Sequence, residues 1–106
     1  MFGLKEHEIV ALKNILASFP EVEEAVIYGS RARGTNRYSS DIDLTLKGDN
    51  LTYLQLALID AMIDDLFLPY FVDISLYKML KDVDLLDSIR QEGKLFFQRT
   101  ITCKSI

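Results

Sequence analysis

A glycine-serine pair, Gly29-Ser30, is followed at a short interval by Asp41-Ile42-Asp43 and, about one helix and one strand further on, by Asp73. Together they supply a phosphate-binding turn and three carboxylates, the parts needed to hold a nucleoside triphosphate and its magnesium ions. A glycine lets the backbone approach a phosphate closely. Ser30 adds a hydroxyl at the start of a short helix expected over 31–33, where free N–H groups favour an anion. Two carboxylates on one strand face repel each other unless a cation lies between them, and Mg²⁺ prefers oxygen ligands. Metal binding would resolve the repulsion.

The elements around these residues are built to present them. Ala25-Val26-Ile27-Tyr28 is β-branched and apolar and reads as a buried strand that delivers Gly29 to its end. Asp41 to Leu46 alternates polar and apolar, which puts Asp41, Asp43 and Thr45 on one face and Ile42, Leu44 and Leu46 on the core face. Phe71 to Leu76 alternates too, with Asp73 and Ser75 opposite Val72, Ile74 and Leu76. If the two strands are neighbours, the three acids share one surface. Ile9, Leu12, Leu16 and Phe19 recur at helical spacing, so a first helix is expected from Lys5 to Ser18, stopping before Pro20. Leu51, Leu54, Leu58, Met62 and Leu66 trace the core stripe of a second helix capped by Asn50 or Thr52 and closed by Pro69. Leu56, Ile59 and Ile63 exceed that stripe, either as thick cover for a small sheet or as a patch for a partner. A last helix through Leu85, Leu86 and Ile89 ends at Gly93, with Lys94 to Gln98 beyond it.

The blocks Gly29-Ser30-Arg31-Ala32-Arg33-Gly34, Ser40-Asp41-Ile42-Asp43-Leu44 and Val72-Asp73-Ile74 resemble the signature of the polymerase-beta-like nucleotidyltransferase superfamily. More narrowly, the chain resembles the minimal nucleotidyltransferases, small prokaryotic proteins paired with a helical partner of the HEPN type. The likeness runs from the first helix to about Phe97. It implies an α/β (α+β) fold, a small mixed sheet covered by helices like the superfamily's palm core. It also implies that Asp41 and Asp43 bridge two Mg²⁺ ions, that Asp73 ligates the second and helps deprotonate a hydroxyl acceptor, and that Gly29 and Ser30 hold the β- and γ-phosphates. The expected activity is transfer of a nucleoside monophosphate, AMP from ATP, to a hydroxyl on or held by the partner. The alternative is an antitoxin that neutralises its partner by binding alone. A phosphohydrolase built on Asp-x-Asp would leave Gly29-Ser30 unexplained.

The remaining polar residues divide by position. Arg33, beside Gly34, is assigned to the triphosphate, whereas Arg31 and Arg37 are read as parts of a solvated helix and loop. Ser39 and Ser40 either reach nucleotide or cap a turn, and Ser40 is assigned to the nucleotide. His7 on a charged helix start and the lone Cys103 in the polar tail receive no role.

At 106 residues and 49% hydrophobic, the chain can bury one core but not two, so a single domain over 1–106 is expected, with a flexible tail over 98–106. A net charge of −4 disfavours extended nucleic-acid binding, which needs many cations on phosphates. No apolar run reaches membrane-spanning length, and the charged start does not match a signal peptide, so the expected location is the cytoplasm. The nucleotide-binding core uses nearly all of the chain. The acceptor site is therefore expected on a second polypeptide.

Overall fold

The computed structural model describes residues 1–99; the expectations for the rest of the tail, including Cys103, lie outside the described residues. The chain runs α1 (Glu6–Ala17), β1 (Glu24–Tyr28), α2 (Ser30–Arg33), β2 (Ile42–Lys47), α3 (Tyr53–Asp64), β3 (Val72–Leu76), a 3-10 turn (Tyr77–Met79), α4 (Val83–Glu92) and β4 (Lys94–Gln98). The strands form one mixed sheet in the order β3-β2-β1-β4, with β1 antiparallel to β2 and β4 and with β2 parallel to β3. The expected mixed α/β architecture is present, extended by one strand. Lys94 to Gln98 forms β4, whose sequence KLFFQ does not alternate cleanly and so gives no period-two signal.

The two sheet faces are covered differently. Ala25, Ile27, Ile42, Leu44, Leu46, Val72 and Leu76 join Leu12 and Leu16 of α1 and Ile59 and Ile63 of α3 in the main core. Val26 and Tyr28 point the other way and pack with Ile89 of α4, flanked by Tyr77, Leu80 and Leu85. The period-two reading of β2 and β3 therefore holds, and it divides the molecule into a core face and a second face carrying the aspartates.

The ends of the expected stripe, Leu51 and Leu66, do join the core, but its three positions within α3 do not. Ile59 and Ile63 are buried, while Leu54, Leu58 and Met62 are 71%, 48% and 40% exposed. Both sets recur at i, i+4 spacing, so periodicity finds two apolar faces and cannot choose between them. Docking on the sheet selects the β-branched set. Thr52 caps this helix through a reciprocal box in which its hydroxyl accepts from the Gln55 N–H at 3.2 Å and its own N–H donates to Gln55 Oε1 at 3.0 Å.

Gly93 closes α4 as expected, but for a reason of space. Its φ is −64°, open to any residue, yet a Cβ there would collide with the Ile89 carbonyl and lie 2.8 Å from Val26 Cγ1. Beyond β4, the Arg99 side chain donates to the carbonyls of Ala17, Phe19 and Val22 at 3.2, 2.9 and 3.0 Å, satisfying acceptors at and just beyond the end of α1.

Candidate active site

Strand register brings two of the three predicted carboxylates together. Asp43 of β2 lies directly beside Asp73 of β3 in the parallel pair, and on its other side it faces Tyr28 of β1. Tyr28, Asp43 and Asp73 thus form a row across three strands, on the face that α4 only partly covers. One step along the same pair, the Ser75 hydroxyl donates to Thr45 Oγ1 at 3.0 Å, tying the two carboxylate strands together beneath the row. Asp41 precedes β2 and is exposed.

The electrostatics report this proximity. Asp43 is pushed above its ordinary carboxyl pKa by partial burial and then by the negative charges of Asp73 and Asp41. The Tyr28 phenol is raised by burial, Asp43 and Asp73, with a Ser75 hydrogen bond acting in the opposite direction. Asp43 therefore feels the charge of both other acids. Among the described residues, no three acidic, His or Cys side chains yet converge tightly enough to enclose a metal ion. Oxygen donors are nevertheless what a hard cation prefers, and a divalent ion would relieve the repulsion that Asp73 and Asp41 exert on Asp43.

The glycine turn abuts this row. Gly29 stands at φ 78°, ψ −157° at the head of α2, with no side-chain cap, and a Cβ added to it would lie 2.6 Å from Asp43 Oδ2. Glycine is required here twice, by the left-handed φ and by the carboxylate packed against its Cα. The helix is a single turn, closed by Gly34 at φ 79°. Ser30 is partly exposed at its start, so turn and carboxylates share one surface.

The other predicted ligands are placed differently. Arg33 Nη1 donates to Glu92 Oε1 at 3.1 Å, which also accepts from the Ser88 hydroxyl at 3.2 Å, and both ion-pair partners are about 40% exposed. Ser40 Oγ accepts the Arg37 N–H at 2.8 Å, the turn-capping alternative. A cavity of about 540 Å³ beside α2 is lined by Gly3, Arg31, Arg33 and Lys94 but by none of the aspartates.

Arg31 overturns its reading as a solvated side chain. It is 1% exposed, and its guanidinium donates to the carbonyls of Phe2 at 2.9 Å, Tyr38 at 3.0 Å and Ser40 at 3.1 and 2.8 Å. It also lies 4.5 Å from the centre of the Tyr70 ring, whose hydroxyl donates to buried Glu8 at 2.9 Å. Burial alone would raise the Glu8 pKa, but the Lys5 N–H and the Tyr70 hydroxyl outweigh it and hold that carboxyl below its ordinary value. One cation thereby fixes the chain just before Asp41 and packs on Tyr70, three residues before Asp73.

The family model for polymerase beta nucleotidyltransferases matches residues 11–102 of this sequence. The chain belongs to that family. Solved structures with the same fold include a toxin-antitoxin complex with AMP-PNP, 21% identical at a TM-score of 0.68 over 91% of this chain and 75% of that one. A tri-AMPylated Shewanella oneidensis HEPN toxin in complex with MNT antitoxin is 18% identical at 0.62, over 93% and 74% respectively. The toxin-antitoxin MntA-HepT is 14% identical at 0.65, over 90% and 74%. At these identities the likeness is one of fold. No curated protein matches the sequence significantly.

Around this candidate site in the nucleotidyltransferase-family chain, sequence reasoning missed two residues. Tyr28 was detectable, because β1 read with period two puts Val26 and Tyr28 opposite Ala25 and Ile27. Arg31 was not, since an arginine on a short helix normally reaches solvent. The turn itself yields a direct expectation. Gly29→Val places a branched side chain against Asp43 in an unfavourable φ, and triphosphate affinity measured by calorimetry should fall at least tenfold. Unchanged affinity would reduce the turn to a purely structural role.

Proposed function

We propose that this chain is a Mg²⁺-dependent nucleotidyltransferase of the minimal type, cytoplasmic and prokaryotic, which transfers AMP from ATP to a hydroxyl on or held by a helical HEPN-type partner. The observation that supports the reading is the close approach of Gly29, a glycine at positive φ, to Asp43 of the aspartate row. Among the structures sharing the fold, one was obtained with AMP-PNP and another contains an AMPylated HEPN toxin.

In this reading Asp41, Asp43 and Asp73 hold Mg²⁺, which when bound offsets the charge of the triphosphate and of the leaving pyrophosphate. Gly29 admits the β- and γ-phosphates to the backbone, and the Ser30 hydroxyl donates to them. Arg33 leaves Glu92 to meet phosphate charge, and Ser40 serves the nucleotide from the loop before Asp41. Asp73, the most exposed end of the row, accepts the proton of the acceptor hydroxyl. The acceptor oxygen bonds to the α-phosphorus as the bond to the pyrophosphate oxygen breaks, so the reaction proceeds by positioning and electrostatics without a covalent enzyme intermediate.

A second reading, neutralisation by binding alone, draws on the exposed apolar face of Leu54, Leu58 and Met62, which suits a helical partner with or without chemistry. One experiment separates the two. The protein is incubated with its partner, Mg²⁺ and ATP, and the partner is weighed by mass spectrometry. Added AMP, lost in Asp41→Asn and Asp73→Asn proteins that still form the complex, is the expected result. Equal neutralisation by wild type and Asp73→Asn, with no adduct and no pyrophosphate, establishes binding alone.

A further inference from the structure

We propose that the groove between α3 and the outer edge of β3 docks the acceptor, and that it takes a basic polypeptide segment whose apolar residues flank the hydroxyl to be modified. This deepens the transferase reading and rests on it for the hydroxyl. Two adjoining cavities make up the groove, of about 230 and 220 Å³, and they share Phe71 and Val72. Tyr53 and Ala57 line the first, and Asp73 stands in the same lining, so the groove runs into the candidate catalytic row. An occupant is thereby carried to the carboxylate that faces the acceptor.

Three of the groove's four aromatic residues face water, and the fourth, Tyr70, is buried. Phe71 is 67% exposed, Tyr53 62% and Phe67 88%, and Phe67 is one of two non-glycine residues held at positive φ among those described. A large side chain in that conformation is strained, and exposing its ring adds to the cost, a combination that recurs at contact sites. The second cavity is lined by Phe67 itself.

Charge selects the occupant. The carboxylates Asp60, Asp64 and Asp73 line the two cavities, and no Lys, Arg or His does so among the described residues. Between Lys47 and Lys78 the charged side chains are Asp49, Asp60, Asp64, Asp65 and Asp73 alone. An apolar groove edged with one sign of charge favours a segment of the opposite sign and rejects its acidic counterpart.

Two synthetic peptides test this against the full chain without nucleotide. They share the same tyrosine and leucines and differ in carrying Lys/Arg or Glu flanks. By fluorescence anisotropy the basic peptide should bind at least roughly tenfold more tightly. The double variant Asp60→Lys/Asp64→Lys should reverse that order, and Phe71→Ala should weaken the basic peptide about tenfold. Asp84→Lys/Asp87→Lys on α4 makes the same change in net charge and should leave the preference in place. Triphosphate affinity, measured in parallel, should stay within about twofold in every variant. Equal binding of the two peptides, binding of neither, or an equal loss in the α4 variant would overturn the docking surface. Failure of triphosphate binding with the peptide preference intact would instead overturn the transferase reading.

Discussion

Asp43→Asn should abolish nucleotidyl transfer, by roughly a thousandfold or more, while making the metal-free protein more stable at neutral pH. The activity loss follows from its central position, between Tyr28 and Asp73 in the row and against Gly29. Removing one charge-bearing ligand there forfeits several kcal/mol of transition-state stabilisation, and each 1.4 kcal/mol is about tenfold in rate. The stability gain follows from its raised pKa. Burial first, then Asp73 and Asp41, push the folded carboxyl above the unfolded value near 3.8. The folded state then binds more protons than the unfolded state in that window, so stability is full at low pH and is lost as pH rises through the folded pKa. Asparagine carries no charge and escapes this loss. Urea titrations of both proteins from acid to neutral pH should diverge upward for the variant, and millimolar Mg²⁺ should stabilise the wild type more than Asp43→Asn. Identical pH profiles and identical responses to Mg²⁺ would remove Asp43 from the site.

Arg31→Leu should have the largest effect on stability, about 3 kcal/mol or more, because it removes a buried guanidinium and leaves the part-buried carbonyls of Phe2, Tyr38 and Ser40 without their donors. For a chain of this length that corresponds to a fall in Tm of roughly 10 °C or more. Arg31→Lys should recover only part of the loss, since one ammonium cannot reproduce a planar fork aimed at three carbonyls and stacked on Tyr70. Thermal unfolding of the three proteins decides it. A lysine variant as stable as wild type would show that the charge alone, rather than the fork geometry, holds the segment before Asp41.

Much of this protein was legible in the chain itself. Gly29-Ser30 and the three aspartates could be picked out because their chemistry is local: a glycine beside a hydroxyl, and acids alternating with apolar residues, keep the same meaning wherever the strand lies. Alternation placed Asp43 and Asp73 on one face and Ile42, Leu44, Val72 and Leu76 on the other, and the structure agrees. The helix boundaries near Pro20, Thr52 and Gly93 were readable from local caps and breaks. Tertiary structure decided the rest, wherever the outcome depended on a residue distant in sequence. Leu54-Leu58-Met62 and Ile59-Ile63 are equally periodic, and only packing on the sheet buried the second set. Arg31 is enclosed because carbonyls from residues 2, 38 and 40 surround it, a convergence that no local pattern encodes. β4 exists because β1 offered an open edge to a segment whose own pattern is ambiguous. The pairing of Asp43 with Asp73, on which the proposed chemistry depends, is a parallel register between strands separated by a whole helix, and it was settled by the burial of their common apolar face.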